Sequence, residues 1–117
     1  MRELQEMLTQ FAEERDWEKF HTPKNLAMAL AGEAGELLEI FQWLDPDESC
    51  SIMRSPERAK AVEQELADIF SYLLRLADVL GIDLAGALRD KVEINRTRYP
   101  VELSRGHAQK YTRLTEA

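Results

Sequence analysis

The chain has 117 residues, a formal net charge of −7, and 44% hydrophobic and 32% charged residues. This length is typical of one globular domain with a thin core, which assembly into oligomers would help to stabilise. The acidic balance argues against a nucleic-acid polymer as partner, because like charges would repel its phosphate backbone. One cysteine and two histidines exclude an internal disulfide and a zinc site of the Cys/His type.

The distribution of charge and apolar residues narrows the class further. No apolar run approaches the roughly 20 residues of a membrane span, and the N-terminus has no signal-like apolar core, which predicts a cytoplasmic protein. Residues 1–88 carry 8 Lys/Arg and 18 Asp/Glu, whereas residues 89–117 carry 7 and 4. Such an acidic body still admits a small phosphate ligand with its own metal ions, because these cations reverse the sign of the local field.

The hydrophobic periodicity predicts helices and no strand. Three helices begin at a capping signal, which is Thr22-Pro23, Ser55-Pro56 or Asp83. Gly81 is a typical helix terminator. The predicted helices cover residues 2–16, residues 23 to about 44, residues 56 to about 80, and residues 84 to about 98.

The remaining segments complete the predicted organisation. Residues 45–55 are polar and are predicted to be an irregular loop. Residues 101–117 are polar and basic, which predicts an extended tail. We therefore expect an all-α fold, with residues 1–100 as a single four-helix bundle domain and the tail contributing to the site or an interface.

Two pairs of carboxylates lie inside predicted helices, Glu33 with Glu36 and Glu65 with Asp68. Residues three apart on a helix share one face, with their Cβ atoms about 5–6 Å apart. If the pairs meet, they form a cluster of four acids that repel one another unless cations lie among them. Periodicity places Glu65 at the rim of an apolar arc and Asp68 on its polar flank, which on this evidence alone favours a plain surface pair over a buried one.

The second predicted helix is apolar or small on nearly every side from Leu26 to Leu44, which is typical of a helix surrounded by its own chain or by a second subunit. Gly32 and Gly35 each cost about 1 kcal/mol relative to alanine in a helix interior, which indicates close approach of another helix or a ligand. Glu39 is interpreted as part of the solvent edge.

The fourth predicted helix supplies hydrogen-bond donors. Lys91, Asn95 and Arg98 follow an i, i+4, i+7 spacing that continues an apolar stripe toward the bundle. Long side chains that snorkel at the bundle rim are the alternative explanation. Trp17 and Trp43 lie at helix margins, where an indole can pack, line an interface or face a ligand ring.

The chemistry of this combination favours a metal-bound nucleotide. Hard cations such as Mg²⁺ take oxygen ligands and commonly join carboxylates to substrate phosphates. A di-iron bundle requires two Glu-x-x-His units, and the chain has only the one from Glu18 to His21. Glycoside hydrolysis would account for the acids, but not for the donor stripe or the small helical scaffold.

The acid pairs and their neighbours carry a family resemblance. An E-x-x-E motif is followed after 28 residues by an E-x-x-D motif. The surrounding segments are Arg15 to Glu18 with Phe20-His21, Gly32 to Leu37, Phe41 to Trp43, Ile94 to Arg96 with Arg98 to Pro100, and Lys110 to Thr112. Over nearly its whole length the chain resembles the MazG-like all-α nucleoside triphosphate pyrophosphohydrolases, most closely the dCTP pyrophosphatase branch.

The resemblance implies specific roles for residues of this sequence. The implied metal ligands are Glu33, Glu36, Glu65 and Asp68; the implied phosphate and sugar contacts are Lys91, Asn95, Lys110 and Tyr111; the implied base-pocket walls are Trp17, Trp43 and Tyr72. Mg²⁺ is the implied cofactor, with Mn²⁺ as a possible substitute. The family cleaves between the α- and β-phosphates of its substrate, releasing a monophosphate and pyrophosphate.

The resemblance also implies an assembly and a cellular role. Members work as dimers, often paired into tetramers, with sites at subunit boundaries and a house-cleaning function toward dNTPs. Leu8 stands where vertebrate-type members carry a histidine near the base. A dCTP-like substrate is expected, with Glu33 or Glu36 as the catalytic base. The alternatives are a non-catalytic helical dimerisation module and a related dUTP hydrolase.

Overall fold

The structure is a computed structural model that describes residues 1–106 and residue 108. These residues form six α-helices and no strand. The helices are α1 (Arg2–Glu14), α2 (Pro23–Phe41), α3 (Pro46–Cys50), α4 (Pro56–Leu80), α5 (Leu84–Arg98) and α6 (Val101–Ser104). Short 3-10 turns cover Glu18–Phe20 and Ile52–Arg54. The predicted all-α class is confirmed, and α1, α2, α4 and α5 are the four predicted long helices.

The predicted capping signals begin their helices as expected. Thr22, Ser55 and Asp83 are the N-caps of α2, α4 and α5, and each side chain accepts a hydrogen bond from the backbone N–H three residues further on. These bonds satisfy amide groups that have no partner within the first helical turn. Gly81 ends α4 with a φ of 69°, a left-handed conformation that a glycine adopts without strain.

Two segments differ from the prediction. Residues 45–55 are not an irregular loop, because α3 and the second 3-10 turn lie there. The cause is a capping box in which Glu48 N–H donates to Asp45 Oδ1 at 2.8 Å and Asp45 N–H donates to Glu48 Oε1 at 3.2 Å. The expected extended tail begins instead with the helical turn α6, and most of its remainder lies outside the described residues.

The chain divides into two compact units, residues 1–82 and residues 83–117. In the first unit, α4 packs mainly along α2 and also against α1. Its apolar core is small and consists of Ala12, Leu26, Ile52, Val62, Leu74 and Ala77. In the second unit, none of the residues of α5 and α6 is fully buried. A search of the described helices found none long and apolar enough to cross a membrane.

The surface of the first unit carries large apolar side chains. Met28 and Leu38 on α2 are 63% and 60% exposed, and Trp43 just beyond that helix is 86% exposed. Among the described residues, none places an atom within 4 Å of where a Cβ on Gly32 or Gly35 would lie, apart from the two adjacent residues and the helix's own backbone. The close approach predicted at these glycines is therefore not made by the described part of the chain itself.

Candidate active site

Three carboxylates from two packed helices meet in the first unit. Glu33 and Glu36 of α2 and Glu65 of α4 each place an oxygen within 4.8 Å of the others. We call these three residues the acidic cluster. Glu33 and Glu65 are half-buried and Glu36 is exposed. Asp68 is outside the cluster, but its charge is close enough to raise the pKa of Glu33.

The acidic cluster is electrostatically unsatisfied. Glu33 Oε2 and Glu65 Oε2 are shielded from solvent and have no hydrogen-bond donor among the described residues. The pKa of Glu33 is raised to about 7, chiefly because its carboxyl group faces that of Glu65 and the two can pair only by sharing a proton, and then by burial and by Glu36 and Asp68. The pKa of Glu65 is also raised: sharing a proton with Glu33 lowers it, but burial and the charges of Glu36 and Asp68 outweigh that effect.

A cation would relieve this arrangement. Charged carboxylates in close contact repel, and either a proton or a metal ion removes the repulsion. The donor set contains only oxygen atoms, which suits a hard divalent cation such as Mg²⁺. The residues present therefore fit a divalent metal ion.

A cavity of about 350 Å³ lies in the same unit. This volume is within the range of small-molecule pockets, roughly 300–1,000 Å³. Its apolar and aromatic lining residues are Leu8, Phe11, Trp17 and Tyr72. Its polar lining residues are His21, Asp68, Ser71 and Arg75. Asp68 thus lines the cavity and also acts on the acidic cluster, so the aromatic cavity and the acids adjoin.

The end of α1 places Trp17 at the cavity. Asp16 has a φ of 53°, so the chain reverses there. Trp17 N–H donates to Ala12 O at 2.9 Å and Asp16 N–H donates to Glu13 O at 3.1 Å, the two bonds of a Schellman motif. The Trp17 and Phe11 rings then meet edge to face, with centroids 5.7 Å apart. The helix terminus therefore orients both aromatic side chains.

Replacing Asp16 tests this turn. A left-handed backbone costs a residue with a Cβ about 1–2 kcal/mol, although aspartate tolerates it better than most. We expect Asp16→Gly to raise the free energy of unfolding by up to about 1 kcal/mol and Asp16→Val to lower it by about 1 kcal/mol. Urea denaturation measures both changes. Lys19→Met is the control for loss of the exposed Asp16–Lys19 ion pair, whose atoms lie 2.9 Å apart. If Asp16→Gly destabilised the protein as much as Asp16→Val, the account would be contradicted.

Arg75 joins three segments around the cavity and is only 9% exposed. Its Nη1 donates to Thr9 Oγ1 at 2.9 Å, and its Nε donates to His21 Nδ1 at 3.2 Å. Thr9 Oγ1 donates in turn to Asp78 Oδ2 at 3.2 Å, and Asp78 lies 3.8 Å from the Arg75 guanidinium. The pKa of His21 is lowered by burial and then by the Arg75 charge, against an opposing effect of Glu18.

The remaining predicted site residues are distributed as follows. Tyr72, like Trp17, lines the cavity, whereas Trp43 is exposed and is not among the lining residues. Lys91 is exposed and Asn95 half-buried on α5, four residues apart and so on one helix face. Lys110 and Tyr111 lie outside the described residues.

Sequence reasoning did not assign Phe11, His21, Ser71 or Arg75 to a site. The sequence of α4 did contain one indication of this site. Asp68, Tyr72 and Arg75 follow an i, i+4, i+7 spacing and therefore share a helix face. Arg75 lies on the polar face of α4, opposite the apolar arc, so the helical periodicity gave no indication that its side chain would be buried.

Comparison with known proteins identifies the family of this chain. A family model described as "MazG-like family" matches residues 29–114, which is well over half of the chain. The chain belongs to the MazG-like family. It is 47% identical to dCTP pyrophosphatase 1 of Bos taurus over 114 residues, covering 97% of this chain and 68% of that protein. Its identity to the Homo sapiens protein of the same name is 44%, with coverages of 97% and 67%.

A solved structure supports the same assignment for this MazG-like chain. The crystal structure of a pyrophosphatase from Archaeoglobus fulgidus matches it with a TM-score of 0.80 and 44% sequence identity, covering 86% of this chain and 92% of that one. The predicted family, its dCTP pyrophosphatase branch and the predicted enzyme class, a nucleotide pyrophosphohydrolase, are confirmed. The alternative of a non-catalytic dimerisation module is therefore not retained.

Proposed function

We propose that this MazG-like protein hydrolyses dCTP, or a closely related deoxynucleoside triphosphate, between the α- and β-phosphates. Water oxygen bonds to the α-phosphorus, the bond to the bridging oxygen breaks, and the products are the monophosphate and pyrophosphate. The observation that carries the proposal is the acidic cluster, with oxygens within 4.8 Å, next to a cavity with aromatic lining. The names of the curated relatives, dCTP pyrophosphatase 1, supply the substrate.

The proposed metal ligands are Glu33, Glu36, Glu65 and Asp68, with Mg²⁺ as the ion and Mn²⁺ as a substitute. Solvent-shielded oxygens without a donor on Glu33 and Glu65 support this assignment. When bound, the metal neutralises negative charge on the triphosphate and makes the α-phosphorus more electrophilic. The carboxylates fix the metal position, and Glu33 or Glu36 accepts the proton that the attacking water loses.

Other residues of the chain bind and orient the nucleotide in this proposal. Trp17 and Tyr72 pack against the base, because aromatic rings stack on any nucleobase and exclude water from its faces. The proposed phosphate and sugar contacts are Lys91, Asn95, Lys110 and Tyr111, all of which carry hydrogen-bond donors. We also propose that residues 1–100 act as one functional domain and that residues 101–117 contribute to the site or to an interface.

A substrate panel tests the base preference. We expect the purified protein with Mg²⁺ to show its highest kcat/KM with dCTP among the four standard dNTPs and dUTP. Ribonucleotide CTP, in parallel, measures discrimination at the sugar. A clear preference for dUTP would instead support the related dUTP hydrolase, the alternative that the sequence left open.

The raised pKa of Glu33 predicts an unusual pH dependence of stability. Its folded pKa of about 7 exceeds the reference value of 4.5, so the folded state binds the proton more tightly than the unfolded state. The contribution is therefore fully present below about pH 4.5 and is lost as pH rises through about 7. We expect the Tm of metal-free protein to fall over this interval, and to fall less in Glu33→Gln, by differential scanning fluorimetry.

Metal addition gives the matching control. Mg²⁺ binds only the folded site and so raises the Tm of the wild type above neutral pH, where the acids are charged. Glu33→Gln is expected to show a much smaller rise, whereas Glu39→Gln, an exposed acid of the same helix outside the acidic cluster, keeps the wild-type rise. An equal rise in all three proteins would contradict the assignment of the metal site.

We further propose that the active form is a homodimer or a pair of dimers in the cytoplasm with a house-cleaning role toward surplus dNTPs. Exposed Met28, Leu38 and Trp43 supply an apolar surface for a second copy, and Trp43 is proposed to wall the base pocket of that copy. Mixing inactive Glu36→Gln with Trp43→Ala tests this arrangement. Recovered activity supports a shared site, and activity no greater than the sum of the separate variants opposes it.

A further inference from the structure

Two hydrogen bonds fix the position of the Arg75 guanidinium. Two of its donors are used by segments that precede α4, Thr9 of α1 and His21 after the first 3-10 turn. The Thr9 hydroxyl accepts from Arg75 and donates to Asp78, which lies one turn further along α4. Each bond has a defined donor and acceptor, because an arginine only donates and an ionised carboxylate only accepts. The guanidinium therefore has a fixed position in the cavity lining.

This arrangement determines the state of the His21 ring. Nδ1 accepts the N–H of Arg75 at 3.2 Å, so Nδ1 carries no proton. A neutral imidazole with an unprotonated Nδ1 carries its hydrogen on Nε2. The charged ring would place a second N–H against the guanidinium, and both burial and the Arg75 charge disfavour it.

We infer that Arg75 is a positioning residue that holds His21 as the Nε2–H tautomer, so that the cavity presents a ring N–H donor to the bound nucleobase. The matching chemical group is a ring carbonyl oxygen or an unprotonated ring nitrogen on the edge of the base. The inference rests on the proposed function, because it takes the cavity as the base site.

A neighbouring hydroxyl complements that donor. Ser71 also lines the cavity, and its Oγ donates to the backbone carbonyl of Ala67 at 2.9 Å. With its hydrogen used, Ser71 Oγ retains lone pairs that accept a hydrogen bond. The cavity lining thus combines a ring donor at His21 with an acceptor at Ser71. A donor and an acceptor together recognise the pattern of hydrogen-bonding groups on the edge of a base, whereas stacking on an aromatic ring does not distinguish one base from another.

Nuclear magnetic resonance of the free protein tests the tautomer without any activity measurement. The chain has two histidines, His21 and His107, and His107→Gln identifies the ring signals of His21. At neutral pH we expect Nε2 protonated and Nδ1 unprotonated. Thr9→Val, which removes the acceptor and donor that anchor Arg75, is expected to shift these signals toward a mixture of forms.

Arg2→Gln is the matched control for that experiment. Arg2 Nη1 donates to Asp78 Oδ1 at 3.2 Å on the exposed side and forms neither of the Arg75 bonds. Its loss is expected to leave the His21 signals unchanged. A Nδ1–H ring or a mixture of tautomers in the wild type would overturn the inference, whatever the variants show.

Steady-state kinetics with dCTP test the contact to the base. His21→Leu is expected to raise KM roughly 2- to 10-fold with kcat little changed, the effect of one lost hydrogen bond. His21→Gln should restore most of the loss, since its amide can accept from Arg75 and also donate. Arg75→Lys, which keeps the charge but not the planar fork, should resemble His21→Leu.

The outcomes separate this inference from the proposed function. Equal KM values for wild type, His21→Leu and His21→Gln would overturn the role of His21 while leaving dCTP hydrolysis intact. Absence of turnover of any nucleotide by the wild type would overturn the proposed function and the nucleobase contact with it. In that case the nuclear magnetic resonance spectrum of the free protein still determines the His21 tautomer. Circular dichroism identifies any variant that has lost its helices.

Discussion

Glu36→Gln is expected to reduce turnover of dCTP roughly 100- to 1,000-fold, because metal stabilisation of transition-state charge supplies several kcal/mol. Glu36 is exposed and none of the described hydrogen bonds uses its side chain to support the fold, so its replacement should leave helix content and Tm at least as high as in the wild type. Removing one of three mutually repelling carboxylates also favours the folded state. Pyrophosphate release and circular dichroism measure the two effects.

Glu39→Gln provides the matched control for this loss. Glu39 lies one turn further along α2, is exposed, and does not belong to the acidic cluster. Its replacement makes the same chemical change on the same helix, and near-wild-type turnover is expected. Unchanged pyrophosphate release from Glu36→Gln, or an equal loss from Glu39→Gln, would refute a catalytic metal site at the cluster.

Trp17→Ala is expected to raise the KM for dCTP roughly 10- to 100-fold with a smaller change in kcat, because stacking of a base on an aromatic ring contributes about 1–3 kcal/mol. The indole lines the cavity and is held against Phe11 by the Schellman turn. The effect should be confined to binding, since the acidic cluster is formed by other helices. Initial-rate kinetics over a range of dCTP concentrations separate the two constants.

Phe20→Ala is the control for loss of an aromatic side chain in the same segment. Phe20 belongs to the 3-10 turn that follows Trp17, is 58% exposed and is not among the cavity-lining residues. We expect its KM to stay close to the wild-type value. A KM increase with Phe20→Ala as large as that with Trp17→Ala would indicate that both act by disturbing the turn.

Local sequence signals predicted the helices because each signal acts within a few residues. The side chains of Thr22, Ser55 and Asp83 cap the helix that follows them in the sequence, and Gly81 ends α4 by its own backbone conformation. The failure at residues 45–55 has the same local basis. The polar composition of this segment predicts an irregular loop, whereas Asp45 and Glu48 form a capping box around Pro46 that begins α3.

The candidate site was only partly predictable, because its parts come from segments far apart in sequence. Spacing joined Glu33 to Glu36, but periodicity left Glu65 at the rim of its helix, and only the packing of α2 on α4 unites the three. The cavity lining includes Arg75, whose hydrogen-bond partners Thr9 and His21 are 66 and 54 residues away in the sequence. Periodicity contains no information about such contacts.

Product analysis of the wild-type reaction tests the central claim most directly. The protein is incubated with dCTP and Mg²⁺ in water enriched in the heavy oxygen isotope, and the products are separated and weighed by mass spectrometry. The account predicts dCMP and pyrophosphate in equal amounts, with the isotope in dCMP because water attacks the α-phosphorus. Formation of dCDP and inorganic phosphate, isotope in pyrophosphate, or no hydrolysis of dCTP would contradict it.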